Sequence, residues 1–131
     1  MPRFGMQNVG SLVEQFVELD RKTEFEETET LLADYRPAGE GRHMIGEKGM
    51  ACIKCHTFGE HRATGIQSVD LLRMPQRIRK DWFHRYLINP QVFRRGTRMP
   101  SFFFGGRSMP NRLDGSIPLQ VEALWEYLKL G

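Results

Sequence analysis

The sequence predicts an all-α fold, and three observations carry that expectation. Apolar residues recur at three- and four-residue spacing in several segments, the period of a helix that buries one face. Helix start and stop signals bracket those segments. No segment alternates apolar and polar residues in the manner of a half-buried strand.

Taken in order, residues 11–35 read as helix. Ser11 and Glu14 have capping-box spacing, and Leu12, Val13, Phe16, Val17 and Leu19 follow with helical period. Thr23 and Glu26 repeat the start signal, and Phe25, Thr28, Leu32 and Tyr35 recur on one face, so two helices or one bent near residues 20–23 are expected. Arg36-Pro37-Ala38-Gly39 reads as the stop. A short helix from about Arg42 to Met50 leads into a cysteine motif, and residues 57–71 read as an ordered loop. A further helix begins at Pro75 or Arg79, carries Trp82, Phe83, Tyr86 and Leu87, and ends at Asn89-Pro90. Residues 91–118, rich in glycine and proline, read as a long loop that needs something to wrap, since structureless loops of this length are uncommon in compact domains. The last helix, Leu119 to Leu130, puts Val121, Leu124, Trp125 and Leu128 on one face.

A chain of 131 residues with 40% hydrophobic and 27% charged residues suits one domain with one core. No apolar run approaches the roughly 20 residues that cross a bilayer, and Met1–Gln7 has no stretch of signal-peptide type. The net charge of +3 conceals an asymmetry. Residues 1–40 hold nine acidic and four basic side chains, whereas residues 41–131 hold seven and fifteen. The expected organisation is a helical N-terminal extension over residues 1–38 and a basic domain over residues 39–131.

Both cysteines lie in Cys52-Ile53-Lys54-Cys55-His56, which rules out a disulfide framework as the basis of stability. In this spacing two thiols one turn apart can add to the two vinyl groups on one porphyrin edge, with the adjacent imidazole beneath the iron. The motif therefore reads as a c-type haem attachment site. A zinc site drawn from Cys52, Cys55, His56 and His61 is the rival, but no second ligand pair follows at the usual spacing of about a dozen residues. A thioredoxin-like redox pair would need a βαβ context, which the pattern lacks.

The sixth ligand decides what such a haem does, because thioether ligation raises the potential and shuts the iron to substrates. Met99 is the candidate among seven methionines. It follows His56 by 43 residues, lies in the loop that needs an object to wrap, and is held by Pro100. Met109, also followed by proline, is the rival, with His43, His61 and His84 behind it.

These residues resemble a known family. Cys52–His56, the segment Asp81-Trp82-Phe83-His84-Arg85-Tyr86-Leu87 ending in Asn89-Pro90, Gly96-Thr97-Arg98-Met99-Pro100-Ser101-Phe102, and Val121-Glu122-Ala123-Leu124-Trp125-Glu126-Tyr127-Leu128 look like a monohaem class I cytochrome c. The likeness covers about residues 39–131, with its four elements in the family's order. It is nearest to the cytochrome modules of larger bacterial oxidoreductases, especially planctomycete-type multidomain proteins. The resemblance implies a small helical domain around one haem c, thioether bonds from Cys52 and Cys55, and His56 and Met99 as axial ligands. It also implies one-electron transfer and a periplasmic or otherwise extracytoplasmic location. One departure stands out. The Gly-Pro-Asp/Asn-Leu that often follows the motif is replaced by a longer Gly65-Ile66-Gln67-Ser68-Val69-Asp70-Leu71, so the carbonyl that orients His56 is unassigned.

Met1-Pro2-Arg3-Phe4 echoes Met99-Pro100-Ser101-Phe102, and each copy precedes a glycine-containing loop and an amphipathic helix. Residues 1–20 are then either the tail of a preceding cytochrome-like module or a chance likeness. Their apolar face needs a surface to cover, and N-terminal helices of this kind can mediate association.

Arg73, Arg77, Arg79, Lys80, Arg85, Arg94, Arg95 and Arg98 form the densest positive region. They read as a docking surface for an acidic redox partner, as ligands of haem propionates, or as a solvated face. No nucleic-acid module accompanies the charge. Trp82, Phe102, Phe103 and Trp125 read as core and pocket lining. The expected function is electron transfer without catalysis by this chain. The alternatives are a haem-based peroxidase or small-gas sensor with an open sixth site, for which no acid–base histidine is placed, and a zinc-stabilised interaction domain.

Overall fold

Proline at the first turn of a helix loses nothing, because its missing N–H is one that the helix leaves unpaired anyway. Pro37 uses that freedom: helix α2 runs Pro37–Ile45 in the computed structural model, which describes residues 4–21 and 36–131. The expected start near Arg42 was therefore too late, and Arg36-Pro37, taken as a stop, opens the helix instead. Helix α1 runs Met6–Arg21, so Ser11 lies inside it and does not cap it. The expected helical stretch from Thr23 to Tyr35, and Met1-Pro2-Arg3 of the N-terminal echo, lie outside the described residues.

Three further α-helices follow: α3 (Lys80–Ile88), α4 (Pro90–Phe93) and α5 (Ile117–Lys129). Short 3-10 turns cover Cys52–Lys54, Leu71–Gln76 and Leu113–Gly115. The described residues are mostly helical. Among the described residues the named strands form one hairpin of two residues each, β1 (Phe103–Phe104) against β2 (Arg107–Ser108), inside the stretch expected to be a long loop. Gly105 and Gly106 join the strands at φ +58° and +76°, the left-handed pair that a tight hairpin turn requires. With two residues per strand, no alternation exists for a sequence pattern to detect.

The core lies where α5 crosses α2. Val121, Leu124, Trp125 and Leu128 fill one face of α5 and pack with Met44, Ile45, Met50, Phe58, Phe83, Leu87 and Phe103. The rings of Phe83 and Trp125 sit 5.2 Å apart, joining α3 to α5. The crossing is close because α2 contributes glycine there. A Cβ on Gly41 would stand 2.2 Å from the Ala123 carbonyl oxygen and 2.6 Å from the Tyr127 Cβ. The core draws nothing from α1, whose Leu12, Val13, Phe16, Val17 and Leu19 are exposed. Among the described residues, no helix is long and apolar enough to cross a membrane.

Candidate functional site

The chain enters the cysteine motif through Ala51, which takes the left-handed conformation at φ 54° and ψ 33° and turns the backbone sharply into the 3-10 turn. The Cys52 carbonyl then accepts both the Cys55 N–H at 3.1 Å and the His56 N–H at 2.8 Å. One turn thus presents two thiols and an imidazole in succession. Both cysteines are free. Cys52 and Ile53 pack against the core while Cys55 is exposed, and burial pushes the Cys52 thiol up to about 12. The returning loop closes on the turn through Thr64 N–H to the Ile53 carbonyl and Gly65 N–H to the Lys54 carbonyl, each at 3.0 Å. A Cβ on Gly65 would stand 2.8 Å from that Lys54 oxygen, which explains the glycine.

His56 Nδ1 lies 3.0 Å from the Val69 carbonyl oxygen. A carbonyl can only accept, so Nδ1 is the donor in this bond and Nε2 is the nitrogen left for another partner. The sequence left this acceptor unassigned; it is the residue just before the Asp70-Leu71 pair. The chain path puts it there. Thr57 and Asp70 are bridged in parallel, with Leu71 N–H on the Thr57 carbonyl at 3.0 Å. Asp70 Oδ1 accepts from Gly59 N–H and Leu72 N–H, each at 3.1 Å, which locks both ends of the loop to one carboxylate.

Met99 is partly buried and packs against the same hydrophobic core as Cys52. Its backbone N–H donates to Thr97 Oγ1 at 3.2 Å, and Gln91 Nε2 holds the Thr97 carbonyl at 2.9 Å. Ser101 Oγ donates to the Ile88 carbonyl at 2.9 Å, so the segment is tied on both sides of the methionine to the α3–α4 corner. The rivals sit differently. Met109 is 67% exposed beside the hairpin, and His43 and His61 are exposed. His84 is buried and faces α5, its Nε2 3.6 Å from Glu122, whose other oxygen meets Lys80 Nζ at 3.0 Å. Burial holds the His84 pKa below the usual imidazole range, against the pull of Glu122. Among the described residues no group of three or more His, Cys, Asp or Glu side chains is placed to hold a metal ion, so Cys52, Cys55, His56 and His61 do not form a zinc tetrad.

Sequence reasoning missed the residues that hold the last loop. Gln120 is fully buried on α5. Its Nε2 donates to the Pro110 carbonyl at 2.8 Å and the Arg112 carbonyl at 2.6 Å, while Ser108 Oγ donates to its Oε1. Arg112 in turn forks onto Glu40 of α2, with Nη2 at 2.9 Å from Oε1 and Nε on Oε2. The hydrogen bonds from Arg112 hold the Glu40 carboxyl below the usual carboxylate range. This clamp matters because Leu113 and Asp114 both take positive φ, a conformation that costs about 1 kcal/mol or more per non-glycine residue. The available signal was a polar residue, Gln120, on the face that α5 otherwise buries.

Of the basic residues, Arg73 pairs with Asp70, and Arg79 and Arg85 both reach Asp81. Arg94, Arg95 and Arg98 are exposed beside the Met99 segment. Comparison with protein families, with curated proteins and with solved structures finds no match for this chain.

Proposed function

We propose that the chain is an electron-transfer protein carrying one covalently attached haem c. The observation that carries this reading is the Nδ1–H of His56 on the Val69 carbonyl, which leaves Nε2 as a free, oriented donor directly after two reduced cysteines. The donor set fits the group: Cys52 and Cys55 would hold it through thioethers, and His56 Nε2 and Met99 Sδ would bind its iron. When bound, it supplies a reversible one-electron couple. The chain's own residues do the rest. Val69 and Asp70 fix the imidazole plane, the ties at Thr97 and Ser101 position the thioether, and the α2–α5 core keeps water away from Cys52.

The same reading places the protein outside the cytoplasm, as a partner or module of a larger oxidoreductase, with an acidic protein docking on the arginine-rich side. A purified sample should show a reduced c-type spectrum and the weak near-infrared band of sulfur bound to ferric iron. Met99→Ala should abolish that band and lower the reduction potential, whereas Met109→Ala should leave both unchanged. Persistence of the band in Met99→Ala would remove Met99 from the assignment. Ready carbon monoxide binding by the unsubstituted protein would favour an open-site haem protein, and a colourless protein would end the haem reading altogether.

A further inference from the structure

The two thiols of the cysteine turn do not stand in the same surroundings. Cys52 and its neighbour Ile53 pack against the hydrophobic core, whereas Lys54 and Cys55 are exposed. One turn therefore carries an inner sulfur and an outer one.

The backbone holds that difference in place. The Cys52 carbonyl accepts the Cys55 and His56 N–H groups, and the returning loop fastens Ile53 and Lys54 through the Thr64 and Gly65 N–H groups, each at 3.0 Å. The loop lies tight against the turn, since even a Cβ at Gly65 would crowd the Lys54 oxygen at 2.8 Å. Leaving the core costs Cys52 apolar contacts that Cys55 does not have to give up. A sulfur reacts only where an electrophile can reach it, so exposure ranks the pair.

We propose that the fold sets the order in which this chain takes up its haem, with Cys55 bonding first and Cys52 second. This order rests on the haem reading given above and adds a sequence of events to it. In each step the cysteine S–H adds across one vinyl group. The sulfur bonds to the carbon nearer the ring, the hydrogen passes to the outer carbon, and the double bond between them becomes single. No oxidant or reductant is consumed. His56 follows Cys55 directly, so the first bond forms beside the imidazole whose Nε2 is left for a partner. With Cys55 bonded, the second addition is intramolecular, and proximity offsets the poorer access of Cys52.

Thiol alkylation of the full chain, produced without haem, tests the role of the fold. A short pulse of iodoacetamide followed by peptide mass spectrometry should label Cys55 at least about tenfold faster than Cys52. In strong denaturant the two rates should converge. Equal rates in the folded chain, or a ratio that survives denaturant, overturn the proposal and leave the haem reading intact. Ferrous protohaem added under reducing conditions, with samples quenched at intervals, tests the order itself. The species with a single thioether should carry it on Cys55, with Cys52 still open to alkylation. A species bonded through Cys52 alone overturns the order. A chain that forms no adduct at either cysteine overturns the order and the haem reading together.

Discussion

Gln120 shows how one buried polar side chain can fix a loop. Its amide satisfies the carbonyls of Pro110 and Arg112 and takes a hydroxyl from Ser108, so that all three depend on it. Gln120→Leu preserves the helix but strands those two carbonyls, and each buried group left unpaired costs about 1–3 kcal/mol. The expected loss is about 2–4 kcal/mol in denaturant unfolding, and a variant within error of the parent would show that the loop holds without it. His84 and Glu40 set the acid response. The folded value of each lies below its ordinary one, 6.5 for the imidazole and 4.5 for the carboxyl, so each contributes stability that is lost as the pH falls through the folded value. Unfolding free energy should therefore decline below about pH 6.5, and again below about pH 4.5. His84→Gln should flatten the first decline and Glu40→Gln the second, as read from denaturation midpoints across the pH series.

Among the elements, the α2–α5 crossing governs the fold. Gly41 lets α2 approach the Ala123 carbonyl more closely than any side chain permits. Gly41→Val should push the helices apart and cost about 3 kcal/mol or more, seen as a large drop in the unfolding midpoint; an unchanged midpoint would mean that the crossing yields cheaply. This crossing also marks how far the sequence could be read. The apolar period of α5 was legible because Val121, Leu124, Trp125 and Leu128 lie a turn apart, and α3 was legible between its start near Arg79 and its stop at Asn89. The start of α2 was not, because proline ends one helix and begins another, and only the tertiary contact at Gly41 decides between them. The hairpin at Phe103–Ser108 was missed although Gly105-Gly106 announces its turn, since strands of two residues carry no period. Of the candidate site, the cysteine turn was written in the sequence outright. The acceptor for His56 was not, because a backbone carbonyl has no letter of its own.

For the whole molecule, the described residues divide into a core-bearing body and a helix that contributes nothing to that core. Deleting α1, residues 6–21, should leave the unfolding midpoint of the remainder nearly unchanged. A large fall would show that α1 does support the body. Charge is also divided along the sequence, acidic through residue 40 and basic after it, so salt should alter association with charged partners far more than it alters folding.

The bond from His56 to Val69 has a consequence for how this protein can change over generations. What the imidazole recognises is the path of the main chain, and the Val69 side chain is 55% exposed and takes no part in that bond. Residue 69 can therefore change to almost any amino acid that leaves the backbone unaltered and keep that bond. The heritable determinant is Asp70, whose carboxylate holds the loop at both ends. A lineage that keeps an aspartate there can lose every other trace of a familiar motif and still present the same oxygen to the same nitrogen.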